Sequence, residues 1–542
     1  MKRHRLKRQI LSSGFFGIWC AFLTTTVLAD SKKFPESEQF RTFGSYQGTG
    51  YDQAYRPKFH FTSLKNWIND PNGLMYYDGE YHLFFQHNPL GTGWGNMTWG
   101  HAVSTDMVHW EQMPHAITPY GSGYVFSGTG VVDHNNSLGK QVGDNKTLVL
   151  LYSYAVDTRP RFGVLTPPEK TEYYQGLAYS TDRGRSFSLL NDGAPVIPFQ
   201  GRDVDPKGTQ RDPKLFWHEP TQKWVAILWM GESSQGRVRF FTSDDLQNWT
   251  FASDMIRPWA HECFDLIHLP VVDDNGNKTG EKKWLIYDGN FDYEVGDFDG
   301  KQFTPEQPVQ NHKLGHWNAA QTFNNSPDGR TVIMGWLVQA GFYKKKMPFA
   351  EQLTFPATME LRKTGNEYRL YRWPIAEIAS LYGRKWELSG ERSIAKTNEM
   401  LSEIKIDAMD ISIEFAPQGK DVVFDLRGSK LTYVAAKNHL HFISKSNLDK
   451  QVIAATKTPE ELKKLKHLKV SEFVLPDALK DGVVNVRILL DRASFEIFLN
   501  AGECVLTHSE ISELDNTSVS IWGDGAQMKS MTIHELKSMW NK

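Results

Sequence analysis

The residues best equipped to do chemistry are three acids in three separate motifs. Asp70 sits in Trp67-Ile68-Asn69-Asp70-Pro71-Asn72-Gly73, Asp212 in Gln210-Arg211-Asp212-Pro213, and Glu262 in His261-Glu262-Cys263-Phe264. Carboxylates brought together serve as nucleophile, base or proton donor, according to how their surroundings tune them. Pro71 fixes its own φ and disfavours helix at Asp70, so that acid rides on stiff, extended backbone. Two aromatic runs follow it, split by Asp78-Gly79, which is the signature of a β-hairpin. Read alone, the stretch from Asn69 to Gly73 is equally well a turn, because its residues are the commonest turn formers.

The elements that must carry these acids read as strands. From about residue 59 to 336 the chain shows short aromatic and β-branched runs separated by Gly, Asp, Asn and Pro, with no long helical period. One pattern recurs: Asp106 leads to Trp110, Asp182 to Phe187, Asp244 to Trp249 and Asp297 to Phe303. Repetition on this scale marks propeller blades, each a four-stranded sheet around a central channel, and the run at 330–336 supplies a fifth. Asp70, Asp212 and Glu262 precede their marks by 36, 32 and 35 residues. The shared phase predicts that they stand on the innermost strands of three blades and converge at the mouth of the channel.

Further on, 347–361 reads as a connecting stretch, and a short helix-like piece at 376–381 follows Arg372-Trp373-Pro374-Ile375. Beyond residue 385 Trp becomes scarce, Lys more frequent, and alternating runs such as Ile411-Ser412-Ile413-Glu414-Phe415 indicate a two-sheet β-sandwich. The expected division is a leader at 1–29, a five-bladed β-propeller at 30–375, a linker at 376–384 and a β-sandwich at 385–542. A Lys-rich stretch at 460–469 reads as a helical excursion with a solvated face.

Composition narrows the classes. A chain of 542 residues calls for more than one core, and 13% aromatic residues with 17 Trp suit both β-structure and surfaces that stack on sugar rings. The first 29 residues hold five cations and no acid, so the remainder carries a charge of −7, with no basic cluster to hold nucleic acid. That leader has a basic start, an apolar run and Val27-Leu28-Ala29 as a cleavage site, and reads as a secretory signal rather than an uncleaved anchor. No later segment is apolar enough to span a membrane. Without the leader only Cys263 and Cys504 remain, too far apart in sequence to suggest a disulfide framework. No metal-spaced cluster, phosphate loop or dinucleotide fingerprint is present, so no metal and no cofactor is expected. Asp273-Asp274-Asn275-Gly276-Asn277 reads as a hairpin turn rather than a cation loop, and His60 and His101 as hydrogen-bonded core residues.

Taken in order, Trp67 to Gly73, Trp94-Gly95-Asn96-Met97-Thr98-Trp99-Gly100-His101, Phe126-Ser127-Gly128, Arg211-Asp212-Pro213, Glu262-Cys263, and Asp491-Arg492 with Ser494 to Phe498 resemble the signature blocks of glycoside hydrolase family 32, most of all its bacterial levanase and exo-inulinase branch. The resemblance spans the chain after the leader. It implies a five-bladed propeller with a β-sandwich, and cleavage of terminal β-fructofuranosyl units from levan, inulin or sucrose with retention of configuration. It implies Asp70 as nucleophile, Glu262 as general acid/base and Asp212 as transition-state stabiliser. Asn69, Gln86, Trp94, Ser127, Arg211 and Trp336 match positions that line the terminal fructose pocket, with Phe126 as part of its wall. Phe264 and His316 depart from the family pattern, and no sugar contact is carried over to His316. In this scheme burial and neighbouring anions raise the pKa of Glu262, while Arg211 keeps Asp212 charged. A walled pocket, rimmed by an insertion at about 156–174, predicts attack at chain ends. The alternatives are a transfructosylating enzyme using the same residues and a fructan-binding protein without catalysis. Oligomeric state is not legible.

Overall fold

The computed structural model describes residues 49–542, apart from 122, 157–170, 232–235, 274–275, 339–340, 459–469 and 541–542. The leader, residues 157–170 of the insertion at 156–174 and the Lys-rich stretch at 460–469 lie outside the described residues.

Asp78 and Gly79 both take positive φ, 46° and 88°, as a two-residue hairpin turn demands, and Tyr77 pairs with Glu80 across it. This hairpin starts the first of five antiparallel blades. Blade 1 comprises Asn66–Tyr77, Glu80–Asn88, Thr98–Ser104 and Glu111–Ile117; blade 2 comprises Gly123–Asp133, Thr147–Val156, Glu172–Ser180 and Ser188–Leu189. Blade 3 runs through Arg211–His218, Lys223–Gly231, Gly236–Ser243 and Thr250–Arg257, and blade 4 through Asp265–Val272, Lys278–Tyr287, Asp292–Phe298 and Phe303–Pro305. Blade 5 consists of Trp317–Thr322, Thr331–Leu337, Ala357–Thr364 and Glu367–Pro374. The stretch read as a connection at 347–361 therefore contains the start of the third strand of blade 5. There Ala357, Met359 and Leu361 alternate inward, a period-two signal that the preceding Phe355-Pro356 obscured.

The recurring aspartates close the turn between third and fourth strands. Asp106 accepts from the amides of Val108 and His109, and Asp182 from that of Ser186. In blades 3 and 4 the acid doing this is Asp245 and Asp299, not Asp244 and Asp297. The turn needs an acid whose oxygen reaches amides two to four residues ahead; Asp244 and Asp297 instead pair with Lys223 and Lys283. The hairpin reading at Asp273 holds, since the Asp273 amide donates to the Asn277 carbonyl.

Two sheets follow the propeller. In one, Cys504–Ser509, Ser494–Leu499, Val483–Leu490, Met409–Ala416, Gln527–Leu536 and Tyr382–Ser393 lie side by side; the other holds Phe473–Leu475, His439–Ile443, Ser429–Val434, Val422–Leu426 and Val519–Trp522. Ile411, Phe415, Phe424, Phe442 and Phe495 fill the space between. Leu314–Gly315, from the propeller, adds to the first sheet in parallel with Leu506-Thr507 and ties the two domains.

A buried ion cluster makes a second tie. His60 donates through Nδ1 to Asp491 (2.9 Å) and through Nε2 to Glu496 (2.8 Å), with all three groups buried. Burial alone would push His60 down, but the two carboxylates raise it from 6.5 to about 9, so it is an imidazolium. A histidine raised in this way stabilises the fold fully below pH 6.5 and loses that contribution as pH rises through about 9. His60→Phe should cost about 3–5 kcal/mol, because it strands two buried anions. Its melting temperature should also fall less than that of the wild type between pH 6.5 and about 9. Parallel curves in that window would show that His60 is not the titrating group. His101, stacked on His82 and bonded to it, is core, as expected.

Candidate active site

Four of the five innermost strands carry a β-bulge at the same level. In blade 1, Ile68 pairs with His87 and Pro71 with Phe85, so Asn69 and Asp70 together face Gln86. In blade 2, Phe126 and Ser127 face Ser153; in blade 3, Asp212 and Pro213 face Leu228; in blade 5, Ala319 and Ala320 face Gly335. A bulge places two residues against one and re-aims a side chain, here toward the channel mouth. Proline is tolerated inside a strand at such points, which accounts for Pro71 and Pro213. Asp212 pays for its place with a φ of 57°. In blade 4, Glu262 stands just ahead of the inner strand. Its loop is pinned because its carbonyl accepts from the Gly289 amide (2.7 Å), and because the buried Asp288 accepts from the His261 amide (3.0 Å).

The three acids thus meet. Cys263 Sγ lies 3.7 Å from Asp70 Oδ2 and 3.6 Å from Asp212 Oδ2, bridging the two carboxylates. Ser127 Oγ donates to Asp70 Oδ2 at 2.6 Å, and Asn69 Nδ2 to Asp70 Oδ1 at 3.2 Å. Arg211 binds Glu262 through Nη2 and lies 3.4 Å from Asp212 through Nε. Its guanidinium stacks over Trp229 at 4.4 Å and faces Tyr173 at 5.9 Å. The Asp212 amide donates to Ser153 Oγ, which in turn donates to Gln175.

Charge is distributed otherwise than the sequence suggested. Burial pushes Asp70 up to about 6; Ser127 opposes this and the charge of Glu262 adds to it. Burial carries Asp212 up to about 7 in spite of Arg211, with Glu262 and Asp70 contributing. Burial would raise Glu262 too, but Arg211, helped by His261, holds it below its ordinary value. Two expectations are therefore corrected: Glu262 is lowered rather than raised, and Arg211 does not keep Asp212 at an ordinary carboxylate value. The reason is geometric, since the guanidinium fork closes on Glu262 and offers Asp212 only the longer contact. Protons in such a cluster belong to the group rather than to one residue.

The aromatic residues form two walls. Trp94 packs edge-on against Phe126 (6.0 Å), and Phe126 against Tyr173 (5.4 Å). Trp336 meets Trp67 at 6.0 Å and donates through Nε1 to Glu351. Trp67 Nε1 donates to Asn69 Oδ1 and so fixes that amide. Gln86 lies behind the Asn69–Asp70 bulge, 2% exposed, and neither atom of its amide has a protein partner. The structure accordingly groups Asn69, Asp70, Gln86 and Ser127 on one side and Arg211, Asp212 and Glu262 on the other, with Cys263 between. Sequence reasoning missed Cys263 as the bridge, Tyr173 and Trp229 as the seat of Arg211, and Asp288 as an anchor. Cys263 was adjacent to a chosen acid and Tyr173 lay in the insertion read as the rim, but nothing in the sequence marked Trp229 or Asp288.

Comparison with known proteins follows the same lines. The model for the Glycosyl hydrolases family 32 N-terminal domain matches residues 60–374, and that for the Glycosyl hydrolases family 32 C terminal matches residues 377–536. The chain is 33% identical to a levanase of Bacillus subtilis (strain 168), over 90% of this chain and 72% of that one. It is 30% identical to an extracellular exo-inulinase of Aspergillus awamori, over 93% of this chain and 98% of that one. The crystal structure of exo-inulinase from Aspergillus awamori superposes with a TM-score of 0.75 at 26% identity, covering 91% of this chain and all of that one. With both halves matched in order and the carboxylates gathered at the ends of the inner strands, the chain belongs to glycosyl hydrolases family 32 and is a glycoside hydrolase.

Proposed function

We propose that this chain is a secreted, retaining exo-β-fructofuranosidase, which releases fructose one unit at a time from fructans and from sucrose. The observation that carries the reading is the meeting of Asp70, Asp212 and Glu262 from three blades around Cys263 and Arg211. Breaking a fructofuranosidic bond builds positive charge at the anomeric carbon and negative charge on the leaving oxygen. Retaining enzymes meet this with two carboxyl groups about 5–5.5 Å apart, one attacking and one protonating. Asp70 is the nucleophile: Ser127 and Asn69 fix its two oxygens, and its pKa of about 6 leaves it an anion at neutral pH. Glu262, 28% exposed, faces the leaving group and donates the proton, then takes one from the incoming water. For Glu262 to carry that proton, Arg211 must shift its hold toward Asp212, which already lies 3.4 Å from it. Asp212 then orients the fructosyl hydroxyls.

This assigns a pH signature to Arg211. Arg211→Gln removes the charge that holds Glu262 down, so the Glu262 pKa rises. Activity that needs protonated Glu262 then survives to higher pH, and the alkaline limb of kcat/KM moves up while its maximum falls about 10²-fold. An unmoved or lowered alkaline limb would show that Arg211 does not control the acid.

The exo mode is supported by the aromatic pairs Trp94–Phe126 and Trp67–Trp336 around the acids, and by the exo-inulinase name of a relative similar over nearly its whole length. Secretion is supported by the leader pattern and by the extracellular description of that relative. The deciding experiment is incubation with sucrose, inulin and levan, with early products separated by chromatography. Free fructose alone is expected. An early ladder of oligofructosides overturns the exo mode, sugar transfer in place of release favours a transfructosylase, and no product from any of the three leaves a fructan-binding protein.

A further inference from the structure

The inner strands begin at the acids and end on the opposite face of the propeller, where a cavity of about 380 Å³ opens. Val131 and Val132 stand there near the end of the inner strand of blade 2, Phe216 and Trp217 near that of blade 3, and Asn324 just past that of blade 5. Trp217 comes five residues after Asp212, which puts it about 16 Å from that acid along the strand. The channel between is filled. Lys214 pairs with Asp265 at 2.9 Å and donates to Thr322 Oγ1 at 3.4 Å, and Gln321 donates to the Gly128 carbonyl at 2.9 Å. These four side chains are buried, so the cavity is separate from the active site.

The lining has a definite chemistry. The half-buried Trp217 meets the buried Trp224 edge-on at 5.2 Å, and Trp224 is itself anchored through Nε1 to Ser137 Oγ. Trp217 Nε1 donates to Glu219 Oε2 at 2.6 Å. Gln222 Nε2 donates to Glu219 Oε1 at 3.0 Å and to the Glu219 carbonyl at 2.8 Å. Gln222 reaches back in this way because it takes a φ of 52° after the short turn Glu219–Thr221. Indole, carboxylate and amide are thus held as one unit before any ligand arrives, which lowers the ordering cost of binding. Exposed His134 and Asn135 stand at the rim. Partial burial and Lys146 lower the pKa of His134, so its ring is neutral at pH 7 and offers one donor and one acceptor. Among the described residues that line the cavity there is no Lys or Arg, while Glu219 brings a negative charge. Phosphates and other anions would meet repulsion there and no countercharge. An uncharged ligand with many hydroxyls and an apolar C–H face fits instead: the face packs on the indole and the hydroxyls answer the carboxylate, amides and imidazole.

We propose that this hollow at the far end of the propeller is a second carbohydrate site, which holds a stretch of fructan chain remote from the acids. The proposal rests on the fructosidase reading above for the kind of polymer. A site of this sort keeps the enzyme on its polymer between cuts and raises the local concentration of chain ends. The test uses Asn135→Trp, which fills the hollow from its exposed rim, and Trp217→Ala, which removes the ring. With the full chain carrying Asp70→Asn to stop turnover, calorimetry with an inulin oligosaccharide should count two bound molecules per chain, and one when Asn135→Trp is added. In the active chain, kcat/KM for levan should fall about tenfold in either variant, the equivalent of one lost ring contact, while that for sucrose stays within about twofold. One bound molecule per chain with and without Asn135→Trp, or equal losses on levan and sucrose, overturns the proposal. So does a second site that takes a glucan oligosaccharide in preference to inulin, since the hollow would then serve a different polymer. If the wild type cleaves neither sucrose nor fructan, that failure belongs to the fructosidase reading, and the count of bound molecules still decides this site.

Discussion

Asp70→Asn is expected to lower turnover of every fructoside by about 10³-fold or more while leaving the fold intact. The amide keeps the size and planarity of the carboxylate and still accepts one of the two bonds from Ser127 and Asn69, but it cannot attack the anomeric carbon. Stability should move the other way. The native pKa of Asp70 is raised from 3.8 to about 6, so the ionised side chain destabilises the fold increasingly as pH rises through that interval. Replacing it with a neutral amide removes the penalty, offset in part by the hydrogen bond that is lost. At pH above about 6 the variant should therefore melt at the wild-type temperature or higher. Activity within tenfold of wild type would sink the nucleophile assignment. A markedly lower melting temperature with lost activity would make Asp70 a structural residue instead.

Glu262→Ala should show a loss that depends on the leaving group. With sucrose the departing oxygen belongs to an alcohol and needs its proton, so the rate should fall about 10³-fold. With an aryl fructoside of low leaving-group pKa the first step should fall only about tenfold, because that oxygen leaves unprotonated. The mutation also takes away the partner of Arg211, whose guanidinium is then free to close on Asp212. The raised pKa of Asp212 should drop toward the ordinary carboxylate range, since two causes change in one direction: the anion of Glu262 goes and the contact with Arg211 shortens. Equal losses on sucrose and on the aryl fructoside would argue that Glu262 serves only to hold Arg211 in place.

Much of this was written in one dimension. Pro71 and Pro213 beside acids in apolar runs, the turn at Asp78-Gly79 and the spaced aspartates were enough to indicate blades and to put three acids at one end of a channel. These features are local: a proline in a strand, a left-handed turn pair and a period of two each follow from the backbone of a few residues. The same locality explains the errors. Asp244 and Asp245 are adjacent, and only the turn geometry shows which one reaches the amides ahead of it.

What the tertiary structure alone decided is how the acids share their charge. The sequence places Arg211 next to Asp212, yet the bulge at Asp212-Pro213 turns the two side chains so that the guanidinium closes on Glu262, fifty-one residues away. Cys263 becomes the bridge between Asp70 and Asp212 because two inner strands and the loop leading into a third, from different blades, meet near the axis. The walls behind Arg211, Trp229 and Tyr173, are likewise a meeting of distant segments. Electrostatic interaction and burial depend on distance in space, and a sequence records distance only along the chain. It therefore determined which groups could do the chemistry, and the fold determined how they share their charge.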